Sequence, residues 1–125
     1  MAAKVVDASA IAALLFGEPG ADAIAGALLD ADLVAPTLFR YELANVCSVK
    51  CRRHPAQRKV LLAAFGLRDR LGIRESTIDI DAVLALSTET RLTVYDASYL
   101  WLARELGADL VTLDKALIRA AARVR

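Results

Sequence analysis

A short apolar run that ends in an acid and passes at once into helical composition occurs near both ends of this chain. That repeated junction restricts the fold more than any other feature. Lys4, Val5 and Val6 read as a strand ending at Asp7, and Ala8 to Phe16 (ASAIAALLF) follows directly with helical composition. Near the other end, Asp109 to Thr112 (DLVT) is short and apolar enough for a buried strand. Asp114 lies just past it and starts a final helix that ends in Arg119, Arg123 and Arg125. Strand-to-helix junctions of this kind belong to sheets whose strands run parallel and are joined by helical crossovers.

The segments between keep the alternation. Gly17-Glu18-Pro19-Gly20 breaks the first helix, and Ala21 to Asp30 forms a second. Asp32 to Ala35 is a second strand, closed by Pro36, after which Thr37 caps a long helix to about Arg53. Pro55 opens a further helix to about Leu71, since proline suits a first helical turn. Gly72 to Ser76 reads as an edge strand, and Thr77 or Asp79 caps a helix to about Thr90. Tyr95, Tyr99, Leu102 and Leu106 then recur at helical spacing behind Thr93, until Gly107 stops that helix. The expectation is one α/β domain over residues 1–125, in three layers, with a short parallel sheet between helices.

In such a sheet all strand-to-helix joins lie along one edge, which is where these folds place ligands. Asp7 and Asp114 would stand there as neighbours, with Asp96, one turn into its helix, able to share the edge. Glu42 lies inside an otherwise apolar helical run, where a buried carboxylate needs a partner. Taken singly, each acid has a local explanation. Asp7 and Asp114 cap helices, Asp96 stands at capping-box spacing from Thr93, and Glu42 faces solvent. Taken together, four converging carboxylates repel one another unless a cation sits among them. Oxygen donors without His or Cys select Mg²⁺ or Mn²⁺ over zinc. A water held by such an ion is a nucleophile suited to a phosphodiester.

Charge distribution adds to this picture. The net charge is only +1, but residues 1–49 carry −4, residues 50–74 carry +7 and residues 75–125 carry −2. A basic middle segment suits phosphate contact, or else a solvated helical face. Cys47 and Cys51, with His54 beyond, share a helical face but lack a fourth zinc ligand, so buried reduced thiols are expected. Mean hydropathy is +0.42, from Ala and Leu at helical spacing, yet no apolar run reaches the roughly 20 residues of a membrane span. A cytoplasmic protein is expected, with apolar surface left for a partner.

Three segments, VVDASAIAALLFGEPG, APTLFRYELANV and RLTVYDASYLWLARELGADLVTLDKAL, resemble the PIN-domain ribonucleases, and among them the VapC toxins of VapBC toxin–antitoxin pairs. The resemblance covers nearly the whole chain, apart from residues 50–92, which match no motif residue by residue. It implies a PIN-like α/β/α fold and Mg²⁺- or Mn²⁺-dependent endonucleolytic cleavage of RNA. It places the catalytic and metal-holding acids on Asp7, Glu42, Asp96 and Asp114, with Ser9, Asn45 and Thr112 in support. It also implies a homodimer silenced by a small VapB-type antitoxin, and no membrane. Lys50, Arg52, Arg53, Arg58 and Lys59 of the basic segment are the expected RNA contacts. Other readings are a PIN-domain RNA-processing nuclease without antitoxin, a catalytically silent binding module, and a phosphate-handling receiver-like domain. The last would need a partnering Lys, and only Lys115 follows a strand.

Overall fold

The computed structural model describes residues 1–123, so Arg125, expected at the end of the last helix, lies outside the described residues. Four strands, β1 (Ala3–Val6), β2 (Asp32–Pro36), β3 (Arg74–Ser76) and β4 (Asp109–Val111), form one parallel sheet in the order β3-β2-β1-β4. Among the described residues seven α-helices flank it, making three layers. They are α1 (Ala8–Phe16), α2 (Ala21–Leu28), α3 (Phe39–Arg53), α4 (Arg58–Gly66), α5 (Ile80–Thr90), α6 (Val94–Leu106) and α7 (Lys115–Arg123). From β1 the chain crosses to β2 and on to β3, then returns past both to β4 on the other side. The sheet therefore reverses its strand order between the paired strands β1 and β4, and an open α/β sheet leaves a crevice outside the carboxyl ends of its strands at such a point.

Two apolar clusters hold the layers. In the larger, Val5 and Val6 of β1, Ile11 of α1, Leu43 of α3 and Tyr99 of α6 are nearly or fully removed from solvent. The second joins Val83 and Leu86 of α5, Leu100 of α6 and Leu117 of α7. Helix ends follow local chemistry. Gly17 and Gly107 close α1 and α6 with φ of 66° and 59°, a left-handed conformation open to glycine at little strain. Asp79, of the two candidates, caps α5 by accepting from the backbone N–H groups of Asp81 and Ala82.

Some boundaries differ from the expectations above. Thr37 does not cap α3: its N–H goes to the Ser76 carbonyl, extending the β2–β3 pairing, and the helix begins at Phe39 with no side-chain cap. The segment from Pro55 to Leu71 is not one helix. It is a 3-10 turn at Pro55–Gln57, then α4, then a second 3-10 stretch at Leu67–Leu71, with the helix-weakening Gly66 at the break. Helix α2 stops at Leu28, and Asp30 takes a φ of 56° in the turn. Strand β4 is an edge strand rather than a buried one, with Asp109 exposed and Leu110 and Val111 half-buried. No single described helix is long and apolar enough to cross a membrane.

Candidate active site

Asp7 leaves the end of β1 as the N-cap of α1 and is only 4% exposed. Its Oδ1 accepts from the Ala10 N–H at 3.1 Å and from Ser9 Oγ at 2.8 Å. Its Oδ2 accepts from Thr112 Oγ1 at 2.7 Å. Capping does not take this carboxylate away from the other acids: one oxygen caps the helix, and the Asp114 charge still acts on the group. Across the β1–β4 gap, Thr112 Oγ1 also accepts from the Asp114 N–H at 2.9 Å, and Ser9 Oγ accepts from the Leu113 N–H at 3.0 Å. Two hydroxyls thus tie the turn after β4 to the acid after β1. Asp114 in turn caps α7, its Oδ1 accepting from the Leu117 N–H at 3.0 Å.

Helix α6 brings the third acid. Thr93 caps it by accepting from the Asp96 N–H at 3.0 Å, which fixes the first turn and leaves the Asp96 side chain half-buried beside the sheet edge. Glu42, on α3, does not face open solvent. Its Oε1 accepts from the Tyr99 hydroxyl at 2.5 Å, and Tyr99 is 1% exposed. In the sequence Tyr99 stands out only as an apolar helix position. A buried tyrosine needs a partner for its hydroxyl, and its place three residues after Asp96 on one helical face is the available signal. Asn45 stands exposed on α3, and among the described residues no side-chain hydrogen bond joins it to the acids.

The four carboxylates feel one another. Burial raises the pKa of Asp7, and the Asp114 charge adds to it against the lowering effect of its hydrogen bonds. Asp96 is raised by burial and then by the charges of Asp114 and Asp7. Glu42 is raised by burial, with further pressure from Asp96 and Asp7. Burial and the adjacent Glu42 push the Tyr99 hydroxyl far upward, so it remains a donor. Among the described residues the ion pairs are Arg40 with Glu75, Lys50 with Glu18 and Arg74 with Asp32, and none reaches these acids. Among the described residues no basic side chain therefore neutralises the four acids. No three of their carboxylates stand close enough to enclose an ion by side chains alone.

Two grooves, of about 520 and 680 Å³, are lined from α3, α4 and the segment around β3, and none of the four acids lines either. Of the basic residues, Lys50 is bound to Glu18 at 2.5 Å and lies over the Phe16 ring, while Arg52 donates to Ser48. Arg53, Arg58 and Lys59 are exposed. Cys47 is buried, Cys51 half-buried, and both thiols are free.

The model of the PIN-domain family matches residues 4–123. The chain belongs to the PIN-domain family. This PIN domain is 33% identical over 118 residues to Ribonuclease VapC3 of Pyrobaculum aerophilum, a match that covers 90% of each chain. It also superposes on the crystal structure of PAE2754 from Pyrobaculum aerophilum with a TM-score of 0.65 at 27% identity. That superposition covers 95% of this PIN domain and 84% of the other chain.

Proposed function

We propose that this PIN domain is a Mg²⁺- or Mn²⁺-dependent endoribonuclease, the toxin of a type II toxin–antitoxin pair, silenced by a small VapB-type antitoxin. The observation that carries the nuclease reading is a group of four carboxylates whose charges act on one another and which, among the described residues, have no basic partner. Family membership and the likeness to Ribonuclease VapC3 support the RNA substrate, the toxin role and the antitoxin. A homodimer acting in the cytoplasm is part of the same reading.

In its chemistry the donor set fits a hard divalent cation: it is all oxygen, and among the described residues no basic side chain pairs with it. No three of the carboxylates enclose an ion as they stand, so an ion would be held partly through water, which Mg²⁺ in particular retains. Asp7, Asp96 and Asp114 would hold the ion, with Glu42 completing the set or orienting the attacking water. When bound, the ion supplies charge to stabilise the phosphorane-like transition state and lowers the pKa of a water.

Everything else belongs to the chain itself. Ser9 and Thr112 hold the Asp7 carboxylate and the Asp114 turn in fixed relation, as hydrogen-bonding partners of ligands do. Asn45 is assigned a water- or substrate-facing role on α3. The exposed Arg52, Arg53, Arg58 and Lys59 supply phosphate contact, with Lys50 holding α3 to the Glu18 turn. In this reading water attacks phosphorus, the P–O3′ bond breaks and the 3′ oxygen leaves to become a hydroxyl, so the new ends are a 5′-phosphate and a 3′-hydroxyl.

The test is incubation of a total-RNA pool with purified protein in Mn²⁺, Mg²⁺ or EDTA, beside a folded Asp7→Asn variant. Discrete products that require metal and vanish in the variant are expected. Cleavage that survives in EDTA or in Asp7→Asn would overturn the reading.

A further inference from the structure

Glu42 has one side-chain hydrogen bond among the described residues, and it comes from a residue with no other polar task. Tyr99 belongs to the main core with Val5, Val6 and Leu43, and its hydroxyl is the group that reaches Glu42. Asp96 and Tyr99 are three residues apart on α6 and share a face. One rigid helix thus carries one acid of the cluster and also the donor that grips another acid from α3. Without that donor, a glutamate with three rotatable side-chain bonds, pressed by the Asp96 and Asp7 charges, would turn away into other rotamers.

We propose that Tyr99 is a positioning residue of the acid cluster: its hydroxyl fixes the Glu42 carboxylate across the α3–α6 junction, and this governs turnover rather than RNA binding. The proposal rests on the nuclease reading above. It assigns to the core a part in the chemistry, because the ring that locks α6 onto the sheet also sets the aim of Glu42. It further predicts that loss of the hydroxyl does nothing in a protein whose Glu42 is already disabled.

The experiment is steady-state cleavage of a single-stranded RNA oligonucleotide in Mn²⁺ by wild type, Tyr99→Phe, Glu42→Gln and the double variant, with kcat and KM separated. Thermal melting of the same four proteins in EDTA runs beside it. Tyr99→Phe keeps the ring and is expected to lower kcat about tenfold to a hundredfold, the usual range for loss of a group that orients a ligand, with KM unchanged. The double variant is expected to be no slower than Glu42→Gln alone, and the melting shifts are expected to be non-additive. An unchanged kcat in Tyr99→Phe, an effect confined to KM, or equal losses with and without Glu42 would overturn the proposal. If the wild type itself fails to cleave RNA with metal, the nuclease reading falls first. If the wild type cleaves and Tyr99→Phe is its equal, only the role of Tyr99 falls.

Discussion

Thr112→Val isolates the hydroxyl that joins the two ends of the site. In the folded protein that hydroxyl donates to Asp7 Oδ2 at 2.7 Å and accepts from the Asp114 N–H at 2.9 Å. Valine has nearly the same shape, so packing changes little and the loss is that of hydrogen bonding. A bond to a charged acceptor contributes about 1.5–3 kcal/mol, and Asp7 is buried enough for little of that to be screened. The Asp114 N–H is only partly buried and adds less. A deficit of about 2 kcal/mol at neutral pH follows. For a chain of this size that lowers the melting temperature by about 6–10 °C.

The pH dependence carries the sharper prediction. The pKa of Asp7 is raised above its ordinary value of 3.8 by burial, and the Thr112 hydroxyl opposes the rise. A raised acid contributes stability that is full below its unfolded pKa and is lost as pH climbs through its folded pKa. Valine at 112 raises the folded pKa further. The variant's deficit should therefore be largest at neutral pH and shrink as Asp7 protonates, toward the roughly 1 kcal/mol of a neutral hydrogen bond. Thermal denaturation of both proteins in EDTA from pH 4 to pH 8 reads this directly. A deficit below about 0.5 kcal/mol, within the range of a neutral surface change, or one that does not vary with pH, would refute the account of how Asp7 is held.

Other substitutions separate the remaining claims. Asp96→Asn should remove cleavage yet raise the stability of the metal-free protein by roughly 1 kcal/mol, since it relieves repulsion from Asp114 and Asp7. That gain should fade below the folded pKa of Asp96, and Mn²⁺ should stabilise the wild type but not the variant. A clear destabilisation in EDTA would mean that the Asp96 charge serves the helix rather than the site. Arg58→Ala with Lys59→Ala should reduce the salt dependence of RNA binding by about one slope unit for each phosphate no longer neutralised, with melting unchanged. Lys50→Ala should act differently, lowering stability by less than about 1 kcal/mol through loss of the Glu18 pair, which is only partly buried.

What could be read from the residues follows from which interactions are local. The β1 and α1 junction around Asp7, the Asp79 cap and the Gly107 stop are settled within a few residues by backbone geometry and capping, so their positions were legible. The alternation of strand and helix required a parallel sheet, and parallel connections place Asp7 and Asp114 on one edge. Pairings between distant segments were not legible. Lys50 meets Glu18 across 32 positions, and Tyr99 meets Glu42 across 57. Thr37 resembles a cap because nothing local shows that Ser76 takes its N–H. The helix expected through Gly66 breaks because one glycine in a weakly buried segment suffices where tertiary packing contributes little. The edge position of β4 depends on strand order, which composition does not encode.

The central claim is that Asp7, Glu42, Asp96 and Asp114 form one divalent-cation site. The most direct measurement is a calorimetric Mn²⁺ titration of the purified, RNA-free protein, with Asp7→Asn and Asp96→Asn, both confirmed as folded, titrated under the same conditions. Saturable Mn²⁺ binding in the wild type, lost or severely weakened in each variant, is the result the account predicts. No binding in the wild type, or binding undiminished by both substitutions, would contradict it.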